Sequence, residues 1–152
     1  MITDSPARDM VLCIGRIYCD LVFTGLNGTP QQGREVFAEG LTPVLGGGAY
    51  IVSAHSAALG RHTALVARYG TDPLSRAMEP QLGRIGADLR FMEYAAEAGP
   101  QVTVVIVEGQ ERAFLSHWAC SVEPRTTSGA NADPAARHLH IAEYATLTEI
   151  PD

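Results

Sequence analysis

The sequence lacks apolar runs long enough to cross a membrane and lacks an excess of basic residues. Its longest apolar runs, such as Val102–Val107, are far shorter than the roughly 20 residues that a bilayer span needs. The segment Met1–Asp9 is polar and carries both charge signs, unlike a secretory signal. A net charge of -6 argues against nucleic acid, whose phosphates require a basic surface. Neither a membrane nor a nucleic acid is therefore expected as a partner.

Several chemical motifs are also missing. The three cysteines form no Cys-x-x-Cys pair, and their odd number suits a reducing compartment, so we expect a cytoplasmic protein. No Gly-x-Gly-x-x-Gly follows the first predicted strand, which disfavours a dinucleotide-binding Rossmann domain. No Gly-Lys-Ser/Thr phosphate loop occurs either.

What is present indicates one α/β unit in a chain of 152 residues with 46% hydrophobic residues. Val11–Ile14 is a short apolar run that predicts a buried strand. Ala49–Leu59 is rich in alanine and is followed by a glycine, which predicts a capped helix. Thr63–Ala67 predicts a second strand. Asp72 before a proline predicts the start of a second helix that reaches Gly86. This strand–helix–strand–helix order is typical of a layered α/β fold.

The remaining segments predict a small accessory sheet and a return to the main one. His138–Ala142 has the pattern of a strand that rejoins the main sheet, and Pro124–Pro134 has the composition of a flexible loop. The accessory strands are expected near residues 21–24, 35–38, 89–92 and 102–116, where the last range holds two strands separated by a polar turn.

The segment Gly47-Gly48-Ala49-Tyr50-Ile51-Val52-Ser53, with Gly60 and Gly70 at set distances beyond it, resembles the first signature of the PfkB/ribokinase-type carbohydrate kinases. Every spaced position fits that signature except Ile51, where the family has Asn. Five further segments resemble the family in the family's order: Gly15–Asp20, Ala67–Pro73, Leu82–Asp88, Glu108–Leu115 and Leu139–Tyr144.

The resemblance implies a mostly parallel, three-layer αβα sheet that is incomplete, with the accessory strands forming a lid over the substrate. Residues 1–152 would be the N-terminal half of a ribokinase-like domain that phosphorylates a sugar or sugar-like alcohol with ATP and Mg²⁺. The family's catalytic Asp lies in a Gly-Ala-Gly-Asp motif of the C-terminal half, and no Gly-x-Gly-Asp occurs here. No catalytic residue is therefore assigned in this chain, which alone is expected to be inactive.

The resemblance assigns substrate binding to Asp20 and to the turn Gly46–Gly48. A carboxylate at the end of a buried strand can accept hydrogen bonds from two sugar hydroxyls, although such an Asp can also simply form a turn or a cap. Glycines before a helix leave backbone N–H groups unhindered for a polyol oxygen or an anion, although they can also form a tight turn that binds nothing.

Tyr18 and Ile51 depart from the family pattern at positions that the resemblance places in the substrate pocket. Both replace compact polar side chains by bulkier ones. Three interpretations stay open: the substrate is not a plain pentose or hexose, sugar binding is lost, or the register is shifted by one and both side chains belong to the core.

Other polar residues are interpreted as structural. Arg68 is expected to pair with an acidic neighbour such as Asp72. His138 and His140 share one strand face, but no third metal ligand has suitable spacing, so no metal site is predicted. His117 and the following Trp118, at the end of the predicted hairpin, fit either closure over a substrate, edge packing or a dimer contact.

A second class of function is a truncated, non-catalytic binding or interaction module. Half of an α/β sheet would expose an apolar edge and face, which proteins normally cover. Such a chain is expected to dimerise, to recruit a partner or to aggregate. In either class, the lid strands would suit a homodimer contact.

Overall fold

The computed structural model describes residues 10–119 and 136–142, which form nine strands and two α-helices. The predicted loop Pro124–Pro134 lies outside the described residues. The strands are β1 (Met10–Ile14), β2 (Tyr18–Thr24), β3 (Gly40–Gly46), β4 (Thr63–Val66), β5 (Arg68–Tyr69), β6 (Glu93–Tyr94), β7 (Val102–Glu108), β8 (Glu111–His117) and β9 (Ala136–Ile141), and the helices are α1 (Gly48–Ala58) and α2 (Pro73–Leu82).

A parallel sheet with the order β4-β1-β9 forms the base of the fold. Its strands coincide with the predicted ones at Val11–Ile14, Thr63–Ala67 and His138–Ala142. Leu12 and Cys13 are neighbours in β1 and both are buried, but they belong to two different apolar clusters. Neighbouring residues of β1 therefore face opposite sides of the sheet. Burial on both faces explains why β1 and β4 have continuous apolar runs, whereas β9 is exposed over Arg137–Leu139 and has an alternating sequence.

A second sheet has the order β3-β2-β7-β8 and mixed directions. Strand β2 runs antiparallel to β3 and parallel to β7, and β7 and β8 form a hairpin. This hairpin lies where two strands were predicted between residues 102 and 116. The turn between them contains Gly109 at φ +61°, a conformation that favours glycine.

Two predicted accessory strands are wrong. Residues Glu35–Ala38 form no strand, and the chain enters the second sheet only at β3. The glycines and Pro43 of β3 weaken the strand signal, but proline is tolerated there because β3 is an edge strand. Residues Leu89–Met92 form a turn, and the short β6 after them pairs with β5 rather than with the second sheet.

Both helices begin where the sequence predicts. The Asp72 carboxylate caps α2 by accepting hydrogen bonds from the backbone N–H groups of Leu74 and Ser75. Helix α1 is followed by Gly60 at φ +79°, as its predicted capping role requires. Helix α2 ends at Leu82, about a turn before the predicted end at Gly86, because the poor helix former Gly83 occupies the C-terminal cap.

The main core lies between the two sheets and the helices. Helix α1 packs against β1 and β4, and α2 packs against β2 and β3. The larger cluster joins residues of both sheets, both helices and the loops between them: Cys13, Ile17, Cys19, Leu45, Ala49, Leu65, Ala67, Tyr69, Met78, Leu82 and Ala142. This packing fixes where β2 and β3 stand relative to the N-terminus of α1.

Candidate substrate-binding site

The carboxyl ends of β1 and β9 meet the N-terminus of α1. Gly15 follows β1, and a Cβ placed on it would lie 3.0 Å from the Cβ of Ala142 and 3.1 Å from the Cβ of Ala49. The glycine at position 15 therefore allows the ends of β1 and β9 to approach the start of α1 closely. In α/β folds this edge of the sheet is where ligands bind.

The Gly46–Gly48 turn connects β3 to α1 and has a steric need for its glycines. Gly47 is the N-cap of α1 at φ +97°, and a Cβ there would collide with the carbonyl oxygen of Arg16. A Cβ at Gly48 would lie 2.9 Å from the Cβ of Ala142. The turn consequently packs against the chain segment that links β1 to β2, with the amino end of the helix beside it.

Asp20 does not end the first strand, which corrects the sequence prediction. It is the third residue of β2, because the chain leaves β1 at Gly15 and begins a new strand in the second sheet at Tyr18. Its Oδ2 lies against Gly46, since a Cβ placed on that glycine would collide with it. The structure thus brings Asp20 and the glycine turn together.

The Asp20 carboxyl group is half-buried, and burial raises its pKa above the usual value. A desolvated carboxylate gains more from hydrogen-bond donors than a solvated one does. Polyol hydroxyl groups are such donors. The group can therefore act as an acceptor at one side of the glycine turn.

The two residues that depart from the family pattern have different surroundings. Tyr18 is half-buried and pairs with Gly46 in the register of β2 and β3, on the same face as Asp20. Ile51 lies in the first turn of α1, and its side chain is 44% exposed, so it is not a core residue. It offers no hydrogen-bonding group at the helix start.

A corner beside Asp20 contains polar residues that the sequence analysis missed. The Arg16 guanidinium lies 5.0 Å from the centre of the Trp118 ring, and Arg16 is 8% exposed. The side-chain oxygen of Gln101 accepts a hydrogen bond from the Ala119 N–H at 3.3 Å. The backbone carbonyl of Gln101 accepts one from the Cys19 N–H at 2.8 Å. A glutamine directly before the apolar run of β7 was the available signal.

Arg68 is structural as expected, but with different partners. Its guanidinium binds Glu93 at 3.1 Å and Glu97 at 2.5 Å, and its side chain is fully buried. Asp72, the expected partner, is occupied by capping α2 and by the Ser75 hydroxyl. Burial alone would raise the pKa of Asp72, but these hydrogen bonds outweigh it and lower the pKa.

The remaining candidate groups form no second site in the described part of the chain. His138 and His140 lie on β9, and no group of three His, Cys, Asp or Glu that could hold a metal occurs among residues 10–119 and 136–142. Burial raises the pKa of Cys13 and Cys19 to about 11, so both are protonated thiols rather than nucleophiles at neutral pH. Within the same residues, no helix is long and apolar enough to cross a membrane.

Gly46→Ala tests whether the contact between the turn and Asp20 matters. The added methyl group would displace the Asp20 carboxylate from its position, so we expect ligand affinity to fall by about tenfold, as for one lost hydrogen bond to a charged group. Gly83→Ala is the matched control, because a Cβ there meets only the Pro80 carbonyl oxygen at 4.0 Å. Calorimetric titration with a sugar, the ligand that the family resemblance implies, measures both. Equal affinities of the two variants would show that Asp20 does not need its place beside Gly46.

Comparison with solved structures identifies the fold class as α/β and ribokinase-like, which confirms the expected fold. The chain superimposes on the ribokinase of Cryptococcus neoformans var. grubii serotype A in complex with ADP with a TM-score of 0.66 and 18% identity, covering 88% of this chain and 40% of that one. For the Arabidopsis thaliana ribokinase complexed with ribose and ATP, the TM-score is 0.63 at 20% identity, covering 74% of this chain and 36% of that one.

A fructokinase from Xylella fastidiosa gives a TM-score of 0.58 at 18% identity, covering 76% of this chain and 35% of that one. The chain therefore spans well under half the length of these solved kinases. No protein-family model and no curated protein sequence matches it. At these identities the comparison defines the fold, which is that of sugar kinases.

Proposed function

We propose that this chain is the sugar-binding half of a PfkB-type carbohydrate kinase and binds a sugar or sugar-like alcohol. The observation that carries the proposal is the Asp20 carboxylate held against the glycine turn, at the sheet edge where α1 begins. A hydroxyl of the ligand would donate to Asp20. The backbone N–H groups of Gly47 and Gly48, at the positive end of α1, would face its oxygens.

ATP and Mg²⁺ are part of the proposed reaction, but the described residues do not fit them. They contain no cluster of acidic or other metal-ligating side chains, and the sequence has no phosphate loop. This chain's contribution would be to bind and orient the alcohol and to exclude water from it. Phosphoryl transfer and its catalytic base would belong to the C-terminal half of a complete kinase domain.

The four-stranded sheet β3-β2-β7-β8 is proposed as the lid. Asp20 is one of its residues, so the sheet that would cover the substrate also contacts it. Strand β8 is exposed along its whole length, including Phe114 and Leu115 at 64% and 70% exposure. An exposed edge strand with adjacent apolar side chains suits pairing with a second copy, so we propose a cytoplasmic homodimer through these strands.

The same exposed strand supports the second candidate, a non-catalytic interaction module. In that case the exposed apolar side chains of the lid sheet, which lie on both of its faces because Phe114 and Leu115 are neighbours in β8, would be the functional surface rather than Asp20. Exposed aromatic and aliphatic side chains on or next to this sheet are Phe37, Leu41, Phe114, Leu115 and Trp118. A chain of this kind would associate with itself or a partner but would not bind sugars.

Calorimetric titration of the purified chain with D-ribose and D-fructose tests the proposal, with gel filtration of the same sample. Saturable binding of either sugar supports the sugar-binding half. Association without sugar binding would favour the interaction module instead. The intact mass of the product of the native gene then shows whether a C-terminal half accompanies this one, and an ATP-dependent phosphorylation assay of that product tests the kinase reaction.

A further inference from the structure

Gln101 has a buried amide whose nitrogen has no hydrogen-bond partner among residues 10–119 and 136–142. The residue is 3% exposed, and its Nε2 is shielded from solvent without an acceptor. The amide oxygen is satisfied by the Ala119 N–H. Buried amide donors are almost always paired, because leaving one unpaired is unfavourable. A specific unpaired donor therefore calls for an explanation.

The position of Gln101 suggests what its unpaired Nε2 donor could bind. Its backbone carbonyl accepts from the Cys19 N–H, so it continues the ladder between β2 and β7. Thr103 stands two residues further along and is in register with Asp20. Since side chains alternate along a strand, Gln101 and Thr103 share the sheet face of Asp20. Standard sheet spacings put the Cα atoms of Gln101 and Asp20 roughly 8 Å apart, within the span of one small ligand.

Gln101 and Asp20 have complementary chemistry on this face. The Asp20 carboxylate accepts hydrogen bonds, and the Gln101 Nε2 donates them. A polyol presents both partners, a hydroxyl that donates and a neighbouring hydroxyl, ring or keto oxygen that accepts. Ile51 supplies no donor from α1, whereas Gln101, directly before β7, has a side-chain amide on the face of Asp20.

We propose that Gln101 is a specificity-determining residue that donates from Nε2 to an acceptor oxygen of the ligand bound at Asp20. The inference rests on the proposed sugar-binding function and deepens it. It selects ligands that carry an acceptor oxygen beside the hydroxyl bound by Asp20. Deoxy analogues that lack this oxygen bind more weakly.

Binding at Gln101 requires a neighbouring side chain to move, because Nε2 has no contact with solvent. Trp118 precedes Ala119, which bonds to the Gln101 amide oxygen, and its ring is stacked on Arg16. Trp118 is 59% exposed, so its ring can move without disrupting the core. Trp118 is the one tryptophan of the sequence, and its fluorescence therefore reports ligand binding at this corner.

Gln101→Met tests the inference, with Gln81→Met as the matched control. Both amide atoms of Gln81 are used within the protein, because Oε1 accepts from the Leu45 N–H and Nε2 donates to the Pro43 carbonyl, each at 3.1 Å. Affinities for D-ribose and D-fructose are measured by calorimetry and by Trp118 fluorescence, and the Tm of the ligand-free chain is measured in parallel.

Gln101→Met is expected to lower the affinity for the better-bound sugar by about tenfold or more, with a Tm of the ligand-free chain close to that of the wild type, because removal of the unpaired Nε2 donor offsets the lost hydrogen bond from the Ala119 N–H. Gln81→Met is expected to show the opposite pattern, with a lower Tm and an affinity within about threefold of the wild type. Unchanged affinity in Gln101→Met, while the wild type binds and Asp20→Asn does not, overturns the inference alone. Absence of binding by the wild type overturns both the inference and the proposed function.

Discussion

Asp20→Asn is expected to abolish sugar binding while leaving the chain folded. The substitution keeps the size of the side chain but replaces a charged acceptor by an amide, half of which is a donor. Hydrogen bonds to charged groups contribute about 1.5–3 kcal/mol each, so the loss of two of them lowers the affinity by more than about 100-fold. Calorimetric titration with the sugar that the wild type binds best measures this effect.

Asp20→Asn is not expected to lower the stability of the ligand-free chain at pH 7. Burial raises the pKa of Asp20 in the folded state, so the folded chain binds the proton more tightly than the unfolded chain does. Its stability contribution is therefore largest at low pH and is lost as the pH rises through this raised pKa. Asn at this position has no charge to bury, so the variant does not lose this stability as the pH rises. Its Tm at pH 7 should be no lower than that of the wild type.

Asp88→Asn provides the comparison for Asp20→Asn. The Asp88 carboxylate binds the side chain of Arg90, and hydrogen bonds from Arg90 lower its pKa. Asp88→Asn removes this carboxylate, so it should slightly lower the Tm at neutral pH and leave the sugar affinity unchanged. If Asp20→Asn binds sugar as well as Asp88→Asn does, Asp20 has no part in recognition. If Asp20→Asn no longer unfolds cooperatively, its carboxylate is structural.

Arg68→Ala is expected to lower the stability of the folded chain by more than Arg90→Ala, Asp20→Asn or Asp88→Asn does. The substitution removes a fully buried side chain together with its ion pairs to Glu93 and Glu97. The cavity and the lost ion pairs together lower the free energy of unfolding by about 3 kcal/mol. Urea denaturation of the two proteins measures the difference.

The matched control is Arg90→Ala. Arg90 forms a hydrogen-bonded ion pair with Asp88, but its side chain is 74% exposed, and exposed pairs contribute at most about 1 kcal/mol. Similar losses for the two variants would mean that the burial of Arg68 adds nothing. A large loss of stability for Arg68→Ala alone supports a role for this residue in holding β5 and β6 together.

The sequence predicts best the elements whose signals are local. Asp72 before a proline and Gly60 after an alanine-rich segment each determine a helix end through nearby backbone groups, and both are where they were expected. Strands β1 and β4 were also predicted, because their burial on both faces leaves continuous apolar runs. These features need no knowledge of distant residues.

The accessory sheet and the site depend on distant partners and were predicted less well. Strand β3 forms because β2 pairs with it along its whole length. Its own composition, with glycines and Pro43, gives only a weak strand signal. The partners of Arg68 lie on the far side of α2 in the sequence, and the nearer Asp72 was already occupied. The place of Gln101 directly before the apolar run of β7 was visible in the sequence, but its unpaired nitrogen is a property of the folded packing.

The pairing of β1 with both β4 and β9 has a consequence for synthesis of the chain. Strand β4 lies within the first half of the sequence, but the other neighbour, β9, follows more than a hundred residues after β1. A ribosome that adds about 5–20 residues per second needs on the order of ten seconds to deliver it. During that interval one edge of the nascent β1 has no strand of its own chain to pair with, so it is open to pairing with another chain.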